Sequence, residues 1–228
     1  MKDEFNQYAE EYQQHIKNSV KFLKINHSYI IDYKINKILN VINKNFDSSL
    51  IKVLDVGCGI GLGHEKIKNK VKSFYGIDTS SKSIEIAKKN NAAINYKDYD
   101  GEKMPFDDNE IDVVYSMSTM HHVPKDKWQL FLNETYRILK KDGKLIIIDH
   151  NPLNPVIQWI VRTNAMDKNA KMLWPLTLRK MLIKSKFHKI KSEYLYFLPT
   201  NYKILKNLEE YLLKKIPLGG QYFFTCKK

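Results

Sequence analysis

Residues 53–63 read Val-Leu-Asp-Val-Gly-Cys-Gly-Ile-Gly-Leu-Gly, an apolar run that ends in four glycines spread over seven positions. The apolar part has the length and β-branched content of a buried strand. Glycine enters positive φ at no steric cost and lets the backbone approach another group closely, so the stretch describes a strand running into a bare loop. In an open α/β sheet such a loop lies beyond the carboxyl ends of the strands, where ligands bind.

Further apolar runs at 51–56, 73–77, 94–96, 111–115 and 144–149 predict buried strands, with helix-like segments between them. The clearest helix is predicted over 125–141, where Trp128, Phe131, Leu132, Thr135 and Leu139 share a face and Gly143 suits a left-handed terminator. Ahead of the glycine loop, residues 5–45 read as helical, with a break near Asn26 or between Asn43 and Asp47. After Asp149 two prolines interrupt 151–155, and 156–163 predicts a short lid helix. A helix capped by Thr177 follows over 177–186. The runs 189–198 and 221–227 read as late strands around a helix at 202–215, closing as an antiparallel hairpin. This order predicts an α/β fold, a doubly wound and mostly parallel sheet. The length of 228 residues suits a single domain: a helical cap over 1–48, a core over 49–150, and a lid with the C-terminal strands over 151–228.

The net charge of +13 raises the question of nucleic acid, but it comes from 35 Lys and only 3 Arg, dispersed along the chain. Planar, bidentate recognition of phosphates and bases favours Arg, so nucleic acid is not a favoured partner and a solvated lysine surface is expected. No apolar run approaches the ~18 residues of a membrane span, and the opening Met-Lys-Asp-Glu-Phe lacks a signal peptide's apolar stretch. A soluble, cytoplasmic protein without stable membrane insertion is expected. Cys58 and Cys226 are too few for a disulfide scaffold or a thiolate cluster, and no metal site is expected.

A dinucleotide-binding loop would need G-x-G-x-x-G. Neither frame provides it, because Gly57 and Gly59 are followed by Leu62, and Gly59 and Gly61 by His64. The loop instead reads G-x-G-x-G, with Asp55 two positions before the first glycine and no lysine to meet a phosphate. A second acid, Asp78, ends the next strand in Gly76-Ile-Asp-Thr-Ser80.

These features resemble the class I S-adenosylmethionine-dependent methyltransferases, and the likeness extends over residues 5–150. Tyr99 to Val123, YDGEKMPFDDNEIDVVYSMSTMHHV, resembles the family's D-x-x-x-x-P-F segment, its F-D-x-V strand and its L-H-H-L turn. Tyr8 to His15, YAEEYQQH, resembles the A-x-x-Y helix of the same group. The resemblance implies a seven-stranded Rossmann-like sheet and S-adenosylmethionine as the methyl donor. It assigns Gly57, Gly59 and Gly61 to the loop passing the methionine and ribose, and Asp55 to the ammonium, directly or through water. Asp78 takes the ribose hydroxyls, with Thr79 beside it, and Asp100 with Gly101 takes the adenine. Ser116 stands at the fourth strand end, and Tyr12 closes over the methionine. One departure stands out: the family often has Gly before the Phe that follows the late helix, and here Lys186 occupies that position, so a different helix ending is expected.

A sulfonium is a good leaving group, so methyl transfer chiefly requires an aligned acceptor and the exclusion of water. Where the acceptor carries a proton, a base at the ends of the fourth or fifth strand is needed; His121 and His122 follow the fourth and His150 ends the fifth, with His150 and His121 the leading candidates. Ser116-Met-Ser-Thr119 lacks the N-P-P-Y-like run of base-amino methyltransferases, and neither cysteine is placed as a nucleophile. The reading is methyl transfer to oxygen or nitrogen of a small molecule, such as a sugar, a lipid-linked compound or a secondary metabolite. The alternatives are an RNA or protein methyltransferase, or a catalytically silent protein that binds the donor.

Overall fold

The computed structural model describes residues 27–164, 167–196 and 213–228. Its strands are β1 (Lys52–Val56), β2 (Ser73–Asp78), β3 (Asn95–Asp98), β4 (Ile111–Met117), β5 (Leu139–His150), β6 (His188–Leu195) and β7 (Gln221–Lys227). They form one sheet in the order β3-β2-β1-β4-β5-β7-β6. The first five run parallel, while β7 is antiparallel to both β5 and β6. The helices are α1 (His27–Asn45), α2 (Glu65–Lys68), α3 (Ser81–Asn90), α4 (Trp128–Ile138), α5 (Pro155–Thr163) and α6 (Pro175–Lys184). Among the described residues no helix is long and apolar enough to cross a membrane.

The central strands are apolar on both faces because both are covered. Alternate residues enter two cores: Leu54, Val56, Val114, Leu145 and Ile147 meet Trp128, Phe131 and Leu132 of α4 and Leu178 and Leu182 of α6. On the other face Val53, Val113, Tyr115, Ile146 and Ile148 join Ile35, Ile38 and Ile42 of α1 and Ile84 and Ala87 of α3. Parallel neighbours need crossovers, so β1, β2, β4 and β5 end at the same edge.

Three local expectations change. The helix predicted over 125–141 is a 3-10 turn at Lys125–Lys127 followed by α4, and Leu139 already begins β5. The left-handed position after it belongs to Asp142 (φ 69°), not Gly143. Gly143 is required by crowding instead: a Cβ there would stand 2.9 Å from the Lys140 carbonyl and 3.0 Å from that of Asp112. Further along, α6 starts at Pro175, whose fixed φ suits the first turn, with Trp174 rather than Thr177 at the cap position and no side-chain cap. It ends as a glycine-terminated helix would, with Lys186 at φ 68°. The Phe187 amide reaches the Leu182 carbonyl at 3.0 Å and the Lys186 amide that of Ile183 at 2.9 Å, the paired bonds of a Schellman ending. The lysine departure therefore leaves the ending unchanged and puts a side chain in a strained conformation.

The helix predicted over 156–163 forms as α5. Asn154 caps it by accepting from the Val156 and Ile157 amides, and Pro155 occupies its first turn. The antiparallel closing hairpin is present as β6 and β7. The expected early helix before residue 27 and most of the helix at 202–215 lie outside the described residues, where Tyr12 also falls.

Candidate active site

The glycine loop leaves β1 at the carboxyl edge, and its first amides are tied to β2: Gly57 and Cys58 both donate to the Ile77 carbonyl, at 2.8 and 3.1 Å. Gly57, Gly59, Gly61 and Gly63 all have positive φ. What each lacks a side chain for differs. A Cβ on Gly57 would lie 2.2 Å from Thr119 Cγ2, and one on Gly61 would lie 2.6 Å from the Tyr96 hydroxyl oxygen. Those two glycines admit neighbouring protein groups. Among the described residues a Cβ on Gly59 would meet nothing within 4 Å, so by that measure Gly59 alone of the four opens onto space.

Asp78 ends β2 beneath that opening. Its Oδ2 accepts from the Gly59 amide at 2.8 Å and its Oδ1 from the Ser80 amide at 2.9 Å. The cap of α3 is Ser80, whose hydroxyl accepts from the Ser83 amide, so Asp78 is tied to the glycine loop and is not the helix cap. Burial raises its pKa, against the two amides. Beside it, Thr79 touches the strand-3 loop: a Cβ on Gly101 (φ 80°) would lie 3.2 Å from Thr79 Cγ2. Asp100 is exposed and accepts from the Glu102 and Lys103 amides at 2.8 and 2.9 Å, which lower its pKa.

Asp55 lies under the loop, 2% exposed, with Oδ2 bonded to His64 Nε2 at 2.8 Å. His64 Nδ1 in turn meets the Tyr96 hydroxyl at 2.6 Å. Burial raises the Asp55 pKa, opposed by His64 and by the neighbouring Tyr115 hydroxyl. Ser116 is buried in β4 with its hydroxyl lacking a hydrogen bond. Cys58 is buried too, and burial together with Asp78 and Asp55 holds its thiol well above the usual range, which disqualifies it as a nucleophile.

The histidines gather at the ends of β4 and β5. His121 sits in a 3-10 turn, Met120–His122, after β4. Its Nδ1 is bonded to Asp149 Oδ1, and its backbone amide donates to Asp149 Oδ2 at 3.1 Å. The His150 ring lies 4.6 Å from the His121 ring, centroid to centroid, and His122 lies 4.0 Å from it. Asp167, on the segment after α5, approaches His121 Nε2 at 3.5 Å and His122 Nε2 at 3.4 Å. Lys34 of α1 reaches the same region, 4% exposed, donating to Ser118 Oγ at 2.9 Å.

Burial disfavours charge on His121, but Asp149 and Asp167 outweigh it and raise its pKa to about 9. Burial alone would raise Asp149, and His121 brings it down to about 2. Burial and the neighbouring His121 charge lower His150 to about 4. Of two expected bases, His121 is thus paired and charged, whereas His150 is neutral at pH 7.

The structure brings His121 and His150 together and sets Gly59 and Asp78 against one another. Sequence reasoning missed His64, Asp149, Asp167 and Lys34. Asp149 had one signal, an acid directly after Ile146-Ile147-Ile148; a carboxylate there must find a partner.

A family profile described as a methyltransferase domain matches residues 54–147, from β1 into β5. The chain is similar to the ubiquinone biosynthesis O-methyltransferase of Pelagibacter ubique, 34% identical over 140 residues, covering 59% of this chain and 54% of that one. It is also similar to the fatty-acid O-methyltransferase of Mycolicibacterium smegmatis, 28% identical over 112 residues, covering 47% and 40%. The chain thus spans about half the length of the named relatives it matches, or less. In fold it is similar to a SAM-dependent methyltransferase of Thermotoga maritima, described as a possible histamine N-methyltransferase, with a TM-score of 0.72, 19% identity and 100% of both chains covered. A SAM-dependent methyltransferase of Archaeoglobus fulgidus gives a TM-score of 0.69 at 18% identity, covering 89% of this chain and 95% of that one.

Proposed function

We propose that this chain, a class I S-adenosylmethionine-dependent methyltransferase, methylates a hydroxyl oxygen of a small, largely apolar acceptor. The donor's site has the right chemistry. Among the described residues it offers space above Gly59 and a carboxylate held by two backbone amides at Asp78, and no lysine lies in the loop. A ligand with a ribose diol and an ammonium but no phosphate suits that set. In this reading Asp78 accepts from the ribose hydroxyls, Thr79, Asp100 and Gly101 border the adenine, and Ser116, with its orphan hydroxyl, faces the methionine end. Asp55 acts from below, holding the loop through His64.

When bound, S-adenosylmethionine supplies a methyl group on a sulfonium. The protein's own task is to position the acceptor, exclude water and remove the hydroxyl proton. In this reading His150 does the last. Its Nδ1 lies 3.5 Å from the Gln221 side-chain nitrogen, while Gln221 Oε1 is buried without a partner. Turning that amide over lets Oε1 accept from Nδ1–H, leaving Nε2 to take the proton. Asp149 holds His121 beside it, which keeps the wall of the site in place.

The observation that carries the choice of oxygen is His150 itself, an imidazole at the β5 end beside the His121–Asp149 pair; an amine arriving neutral needs no base. Two similar proteins bearing the name O-methyltransferase point the same way. Exposed Val156 and Trp159 on α5, with Leu153 before it, favour an apolar acceptor. The test is S-adenosylhomocysteine release against phenols, fatty acids, sugars and amines. Turnover on hydroxyl acceptors should fall by ~10²–10⁴-fold in His150→Ala, with donor affinity kept. Exclusive turnover of amines, or a fully active variant, would sink the reading.

A further inference from the structure

We propose that His121, His122 and Asp167 form a site for a divalent first-row transition metal such as Zn²⁺ or Co²⁺. It goes beyond methyl transfer and does not depend on the acceptor. Three donor atoms converge: His121 Nε2 and His122 Nε2 lie 3.5 and 3.4 Å from Asp167 Oδ1, and one ligand atom from each residue falls within 4.8 Å of the others. Zinc-to-nitrogen and zinc-to-oxygen bonds of about 2.1 Å at tetrahedral angles separate ligand atoms by about 3.4 Å. Both histidine-to-carboxylate pairs therefore stand at ligand-to-ligand spacing already, and the two histidine donors lie within 4.8 Å of one another.

The surroundings orient the donors. His121 gives its Nδ1 side to the Asp149 carboxylate, which turns Nε2 toward Asp167, the carboxylate–histidine arrangement that fixes ring orientation in metal sites. Asp167 is held in the same way, its Oδ2 accepting from the Asn164 side-chain amide at 2.7 Å, which leaves Oδ1 for the histidines. All three side chains are shielded, at 2%, 16% and 7% exposed. Two imidazoles and one carboxylate suit borderline dications over Mg²⁺ or Ca²⁺. An ion there replaces the Nε2 proton of His121 and fastens the segment after α5 to the turn after β4.

The test uses the full chain, stripped with a chelator and titrated with Co²⁺ and then Zn²⁺. One Co²⁺ per chain with visible d–d absorption, displaced by Zn²⁺, is expected. Asp167→Asn and His122→Gln should each weaken binding by at least ~10-fold, while both variants keep the thermal shift given by S-adenosylmethionine, which reports that they fold. The proposal is overturned if folded wild type shows no saturable Co²⁺ spectrum. It is equally overturned if either folded variant binds Co²⁺ as tightly as wild type. Loss of the donor's shift in wild type itself would instead count against the methyltransferase reading, with the cobalt spectrum unaffected.

Discussion

Asp149 grips His121 with both carboxylate oxygens, Oδ1 on the ring nitrogen and Oδ2 on the backbone amide at 3.1 Å. The pair is buried, and removing one charge of a buried pair leaves the other uncompensated. Asp149→Asn should therefore destabilise the fold by about 3 kcal/mol, equivalent to a melting temperature lower by ~6–12 °C in a chain of this size. Calorimetry that finds less than a degree of change would show that the pair is energetically idle.

The glycine loop separates two kinds of glycine. Gly57→Ala drives a Cβ to 2.2 Å from Thr119 Cγ2, so it should lower the melting temperature before any ligand is added. Gly59→Val places its side chain where nothing lies within 4 Å. It should cost only the ~1–2 kcal/mol of a left-handed residue while abolishing the shift that S-adenosylmethionine produces. A Gly59→Val protein that still gains stability from the donor would remove Gly59 from the binding surface.

Lys34 gives stability a pH dependence. Burial lowers its pKa to about 8 from 10.5, with Asp149 partly opposing. Below pH 8 both folded and unfolded chains hold the proton, and the cost of burying the charge is present in full. Between about 8 and 10.5 the unfolded chain binds more protons, so stability rises with pH. The gain approaches something on the order of 3 kcal/mol. Urea unfolding at pH 7, 8.5 and 10 should show wild type gaining relative to Lys34→Met across that range. Parallel profiles would mean that the ammonium is solvated.

At the end of α6, Lys186 holds a left-handed conformation at φ 68°. Lys186→Gly removes a penalty of ~1–2 kcal/mol, partly offset by the unfolded chain's extra freedom. A melting temperature raised by about 2–4 °C is expected, and a lowered one would show that the lysine side chain contributes more than its backbone costs.

The central strands were legible because they are apolar on both faces, as strands of a covered sheet are, and the glycine loop was legible because an acid followed by G-x-G-x-G is a distinctive spacing. Less visible was anything depending on a partner far along the chain. His121 and His122 stand side by side in the sequence, but the acid they share is Asp167, 45 positions after His122. Asp55 was readable as an acid before the loop; its bond to His64 was not. Lys34 carries no signal at all, since a lysine within a helix ordinarily faces water, and its burial and its bond to Ser118 are set by distant parts of the chain. Asp142 took the left-handed position expected of Gly143 because Gly143 is confined by two carbonyls, a crowding that no local pattern encodes.

Because β7 lies between β5 and β6, among the described residues the edge strand β6 pairs with the sheet only through its antiparallel neighbour. Thr225 pairs with Ile146 on one side and Lys191 on the other. Any fluctuation that frees β7 from β5 thus frees β6 with it, just as one that frees β2 from β1 frees β3 at the opposite edge. Amide protons along β6 and β7 share one ceiling of protection against exchange with solvent.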